Sequence, residues 1–121
     1  MQRLCICLLV IFAWSGSSAE VAKDCKPPER PSIPDGENTT ESKLIATRVI
    51  LEQYLKDGDS YLVCLREFED SLGDTIAEID GHELLEKYKG MVEEMYLVGD
   101  EYNIALRRFK LNLGTSSGDS E

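Results

Sequence analysis

Gly58-Asp59-Ser60-Tyr61-Leu62-Val63-Cys64-Leu65-Arg66-Glu67-Phe68-Glu69-Asp70-Ser71-Leu72-Gly73 returns 41 residues later (102 minus 61) as Gly99-Asp100-Glu101-Tyr102-Asn103-Ile104-Ala105-Leu106-Arg107-Arg108-Phe109-Lys110-Leu111-Asn112-Leu113-Gly114. Gly, Asp, Tyr, Leu, Arg, Phe, Leu and Gly recur at the same spacing, which marks a repeated structural unit. No catalytic or ligand-binding motif accompanies either copy. The stretch speaks first to architecture, and function has to be approached through it.

Working outward from the first copy, Leu44, Leu51, Leu55, Leu62, Leu65 and Leu72 fall three, four or seven residues apart, with Arg48 and Gly58 in the same register. That is the period of an amphipathic helix. Thr39 or Thr40 can cap its start, and Glu41 in the first turn suits the helix dipole. Asp57-Gly58-Asp59 is a place where the helix could break in two. The apolar phase passes through Gly58 without a slip, which favours one helix over about residues 40–72. A second stripe, Ile50, Tyr54, Tyr61, Cys64 and Phe68, lies one position round the same cylinder.

Around the second copy, Leu85, Tyr88, Val92, Met95, Gly99, Tyr102, Leu106, Phe109 and Leu113 hold the same three-four pattern. Asp80 with Glu83 three residues on forms a capping-box-like pair, so the spacing predicts a helix over about residues 81–113, closed by Gly114. The connector Asp74 to Asp80 is expected to tuck Ile76 and Ile79 under the helix ends. So short a connector makes the helices antiparallel neighbours, with facing positions summing to about 154. Gly58 then faces Met95 and Tyr96, and Gly99 faces Leu55 and Tyr54. Each glycine becomes a hole for a large residue, or else a kink, in a helix interior where it costs about 1 kcal/mol relative to alanine. The fold class is all-α, an antiparallel two-helix hairpin domain over residues 39–114, and Thr115 to Glu121 is an acidic tail expected to be disordered.

The chain begins with Arg3, an apolar run from Leu4 to Trp14, and Ser15-Gly16-Ser17-Ser18-Ala19. This is the pattern of a secretory signal peptide over residues 1–19. The apolar run, about 11 residues, is short of the roughly 20 that a membrane span needs. Cleavage removes Cys5 and Cys7 and leaves Cys25 and Cys64 in a compartment that permits disulfides, so the two are expected to bond rather than stay separately buried thiols. Residues 20–38 are Pro-rich, with Pro27, Pro28, Pro31 and Pro34 leading to Asp35-Gly36, which predicts extended polyproline II and then a turn. The 15 residues from Cys25 to Thr40 reach roughly 46 Å in that form, and the 24 from Thr40 to Cys64 span about 36 Å of helix. The segment can therefore run back along helix 1, its prolines on Tyr54 and Tyr61, with the disulfide pinning its far end.

The formal net charge is -10, from 13 basic and 23 acidic residues. Loss of Arg3 with the signal leaves 12 basic against 23 acidic. Such a surface repels phosphate backbones and anionic lipid, so nucleic acid and membrane surfaces are poor partners; basic proteins or cations stay open as partners, and the charge equally serves solubility. His82 is the only histidine. Between Asp80-Gly81 and Glu83 it admits an acid-base reading, but a lone histidine in an acidic turn is more often simply exposed. Asp57, Asp59, Asp100 and Glu101 cluster near the helix midpoints without calcium-loop spacing, so no metal or other cofactor is expected. Asn38-Thr39-Thr40 fits the N-glycosylation sequon, which matters only in a eukaryotic source. Arg66 and Arg107 are equivalent in the two copies and are expected on the helix flanks.

Cys25-Lys26-Pro27, Pro31, Pro34-Asp35-Gly36, then Tyr54, Tyr61-x-x-Cys64-Leu65, then Glu101-Tyr102-Asn103-x-x-Leu106-Arg107-x-Phe109-Lys110, resemble a group of small exported proteins of Gram-negative bacteria. The resemblance covers nearly the whole mature chain. It implies a periplasmic or secreted helical protein and offers no catalytic residues to carry over, and the sequon loses weight under it. The reading that follows is an exported, non-enzymatic interaction or structural module. Tyr54, Gly58, Tyr61, Leu65, Phe68, Gly99, Tyr102, Leu106 and Phe109 serve as its packing positions. Apolar surplus at Met91, Met95, Tyr96, Leu97, Val98 and Leu111 leaves room for a four-helix homodimer. The rival is an acidic binder or inhibitor of a basic exported partner, and the minor alternative an enzyme using His82.

Overall fold

The computed structural model describes residues 25–75 and 78–116. Residues 1–19, which hold the signal-peptide pattern, residues 20–24, Ile76, Ala77 and residues 117–121 lie outside the described residues, as does the side chain of Ile79. Two helices account for nearly all of the regular structure: α1, Glu41–Leu72, and α2, Glu78–Ser116. Short 3-10 turns at Gly36–Asn38 and Gly73–Thr75 precede and follow α1, and there is no strand among the described residues.

Local chemistry sets the ends. Thr40 is extended, and its side chain accepts from the Lys43 N–H at 3.2 Å, so the threonine caps α1 as its position suggests. The helix then runs through Asp57-Gly58-Asp59 without a break. Gly73 ends it with φ 52°, a conformation that favours glycine. α2 begins earlier than the capping box predicts. Glu78 and Asp80 both lie in its first turn, where carboxylates favour the dipole. Its other end is also a correction. Gly114 does not stop the helix, because Gly73 alone among the described residues has positive φ. The helix goes on to Ser116, with Thr115 Oγ1 donating to the Asn112 carbonyl at 2.9 Å.

The pair is antiparallel, since partners on α2 fall in number as those on α1 rise. Tyr102 Oη donates to the Leu44 carbonyl, Met95 lies against Gly58, and Arg66 donates to Tyr88 Oη. On α1 the buried line is Leu44, Thr47, Leu51, Tyr54, Gly58, Tyr61 and Leu65, with Leu62 buried one position round beside Tyr61, and the line is continued by half-buried Phe68 and Leu72. Its spacing alternates three and four throughout, a heptad seam. On α2 the fully buried residues are Leu84, Met91, Val98 and Ala105, seven apart, alternating with half-buried Tyr88, Met95, Tyr102 and Phe109.

Half of the expected α2 stripe is thus displaced by one position. Tyr88, Met95, Tyr102 and Phe109 lie on the seam, but Leu85 and Val92 remain 48% and 46% exposed. The reason is a third element. Ala105 meets Gly36 of the N-terminal segment, and Val98, fully buried, belongs to the same core as Cys25. The helix turns its 84/91/98/105 edge inward between α1 and that segment. Met91 and Val98, read from sequence as surplus surface, are therefore core, while Ile50 of the second α1 stripe is 57% exposed.

Candidate interaction site

Two grooves flank the seam, and they differ. One is filled by the N-terminal segment. Cys25 is bonded to Cys64, 39 residues apart, with the Cα atoms 5.7 Å from each other. Pro27 and Pro28 arch past Ile50, Tyr54 and Tyr61 over a shallow hollow of about 870 Å³. Beyond the arch the chain lies on α2, not on α1 as the sequence reading has it. Arg30 reaches both Glu94 and Glu101, the latter at 2.6 Å. Ile33 packs against the core. Gly36 sits so close to α2 that a Cβ there would stand 2.0 Å from the Ala105 carbonyl oxygen. Asn112 Nδ2 closes the far end by donating to the Glu37 carbonyl at 3.1 Å.

Electrostatics follows this geometry. The hydrogen bond to Glu101, with both carboxylates nearby, raises the Arg30 guanidinium above its ordinary value. Asn38 Nδ2 donates to Asp35 Oδ2 at 2.8 Å and the Glu37 N–H donates to Oδ1, which together hold the Asp35 carboxyl below the usual carboxylate range. Burial, and then Glu94, push the Tyr54 hydroxyl up.

The second groove is open. On α2 it is edged by Leu85, Val92, Gly99, Leu106 and Leu113, each one position past a buried seam residue or heptad equivalent. On α1 the matching line is Arg48, Leu55, Leu62 and Glu69, of which Arg48 and Glu69 are exposed, Leu55 half-buried and Leu62 buried. Leu85 shares a depression of about 310 Å³ with Arg66 and Glu69 near the connector. Leu106 and Leu113 share another, of about 330 Å³, with Ile45 and Arg48 at the opposite end.

Among the sequence-derived packing positions, Tyr54, Gly58, Tyr61 and Leu65 are buried, and Phe68, Tyr102, Leu106 and Phe109 are half-buried. Gly58 has Met95 Sδ 2.7 Å from where a Cβ would stand. Gly99 is a correction: a Cβ there would meet nothing within 4 Å, so the glycine receives neither Leu55 nor Tyr54. His82 is exposed in the first turns of α2, and Asp57, Asp59 and Asp100 are exposed as well. Glu101 is engaged by Arg30. Among the described residues no group of three His, Cys, Asp or Glu is placed to hold a metal ion, and no helix is long and apolar enough to cross a membrane. The exposed Asn38 carries its amide on Asp35, and the neighbouring Thr39 hydroxyl is buried without a partner.

Sequence reading missed Arg30, Glu94, Gly36 and Ala105. A signal was there: Glu94 and Glu101 lie seven apart on one helical edge, and Leu84, Met91, Val98 and Ala105 form a second period beside the repeat. Compared with known protein families, characterised proteins and solved structures, the chain matches none.

Proposed function

We propose that the protein is an exported, non-enzymatic interaction module: a helical hairpin that binds protein through the groove its own N-terminal segment leaves open. One observation carries this reading. The chain fastens one groove with its disulfide, the Arg30 ion pairs and the Gly36 contact, yet leaves Leu85, Val92 and Ile45 about half exposed along the other. Apolar rows left uncovered on a small fold are characteristic of binding faces. The disulfide suits an oxidising compartment, and the reading places the protein in the periplasm or outside the cell of a Gram-negative source. The Pro-rich segment acts in it as a third strand that stiffens the hairpin, and a second copy of the chain is the first partner to consider.

The test is capture from the native compartment by immobilised oxidised protein, set beside a Val92→Glu variant. Bound material lost with Val92→Glu supports the reading; identical capture by both proteins sinks it.

A second reading, an acidic binder of a basic exported partner, draws on Glu93 and Asp100, which stand exposed seven residues apart on the outer face of α2. It requires capture that fades as salt is raised and is indifferent to Val92→Glu. The minor enzyme reading rests on His82 and requires His82→Ala to abolish an activity.

A further inference from the structure

We propose that the open groove is the docking face for a second copy of this chain, laid face to face so that α1 of each copy lies along α2 of the other. The inference deepens the interaction-module reading by naming its partner. A chain with net charge -10 repels itself through an arbitrary pair of faces. The open face is an exception. Its α1 wall, formed by the heptad positions flanking the groove, carries Glu41, Glu52, Asp59 and Glu69 against Arg48 and Arg66, a net of two negative charges. The matching α2 wall carries Lys89 and Lys110 against one carboxylate, Glu78 in the first turn, a net of one positive charge. The face as a whole carries a net of one negative charge of the chain's ten, and it is divided lengthwise by sign.

A twofold axis parallel to the hairpin sets each acidic wall on the other copy's basic wall, the same contact made twice. Since α1 and α2 are antiparallel, every neighbouring pair in the assembly is antiparallel too, an up-down four-helix bundle. α1 ends at Leu72 where α2 begins at Glu78, which puts Asp59 level with about residue 91 and Glu41 level with about residue 109. Asp59 thereby comes beside the second copy's Lys89, and Glu41 beside its Lys110. Between the walls, exposed Leu85 and Val92 and half-buried Leu106 meet the second copy's half-buried Leu55, while Leu62 behind them is already buried within its own chain. Gly99, with nothing within 4 Å of a Cβ, leaves a notch on the same edge. A face about 42 Å long and two helices wide offers roughly 800 Å², what each partner contributes to a stable interface of ordinary size.

Sedimentation equilibrium on the oxidised protein tests this. The wild-type chain is expected to be a dimer at micromolar concentration. Lys89→Glu and Asp59→Lys, both at exposed positions, should each weaken association at least tenfold, and the double variant Asp59→Lys/Lys89→Glu should recover most of it. Val92→Glu should give a monomer with its far-UV circular dichroism unchanged. A wild-type monomer at about 100 µM overturns the inference. So does a dimer indifferent to Val92→Glu, or a Lys89→Glu loss that Asp59→Lys does not repair. A monomer that still captures another protein overturns the dimer and leaves the interaction module standing. A monomer that captures nothing sinks both.

Discussion

Gly58 and Gly99 occupy the same place in the two repeat copies and do different things. Beside Gly58, Met95 Sδ lies 2.7 Å and Met91 Cε 3.1 Å from a hypothetical Cβ, so the missing methyl is space the partner helix occupies. Around Gly99 that space is empty. Alanine should therefore act oppositely at the two sites. Gly99→Ala gains helix propensity without a clash and should raise stability by up to about 1 kcal/mol. Gly58→Ala gains the same propensity but must displace Met95 from a packed seam, an overpacking cost of about 1–3 kcal/mol. Urea denaturation of both variants at one protein concentration checks this. If Gly58→Ala is the more stabilising, the notch is not a packing feature.

The N-terminal segment shows why pairing could be read from sequence while its path could not. The disulfide, the single unbroken α1 and its threonine cap follow from local facts: two cysteines outside the apolar N-terminal run, a phase that survives Gly58, a hydroxyl before the first turn. The path of the segment depends on which edge of α2 faces inward, and two overlapping stripes on that helix offered both edges. The repeat favoured 85/92/99/106; the protein buries 84/91/98/105, because Gly36 has to reach Ala105. Ala105 is the repeat equivalent of Cys64, so both copies hold the segment, one by a covalent bond and one by the close approach of Gly36, which lacks a Cβ, to the Ala105 backbone. Both holds can be measured. Reduction, or Cys25→Ser/Cys64→Ser, should lower stability by about 4 kcal/mol from the loop that the disulfide closes. Gly36→Ala, with its methyl driven into backbone, should lower it by about 3 kcal/mol while the disulfide remains intact. A loss under 0.5 kcal/mol in Gly36→Ala would show the segment to be tethered but not seated.

At the scale of the whole molecule, the turn at Asp35 joins every part: it follows the segment, sits beside Arg108 of α2, and leads into the cap of α1. Its carboxyl is held below the ordinary value by Asn38 and the Glu37 N–H. The folded state consequently takes up that proton less readily than the unfolded chain does. The stabilisation is complete above the ordinary carboxylate pKa of about 3.9 and is lost as pH falls through the depressed folded value. Because Gly36 is seated on Ala105 next to this turn, loosening it uncovers the edge of α2 on which Val98 is buried. Acid should therefore lower the stability of both helices together, as one cooperative transition. Melting followed from pH 7 to pH 2 by far-UV circular dichroism and by tyrosine absorbance should give coincident curves that shift down below about pH 4. Asp35→Asn keeps the turn's shape but has no proton to take up, so its melting temperature should start lower at pH 7 and fall less steeply below pH 4. An acid limb as steep in Asp35→Asn as in the wild type would place the acid sensitivity elsewhere in the molecule, and curves that separate between the two probes would mean that the segment leaves before the helices part.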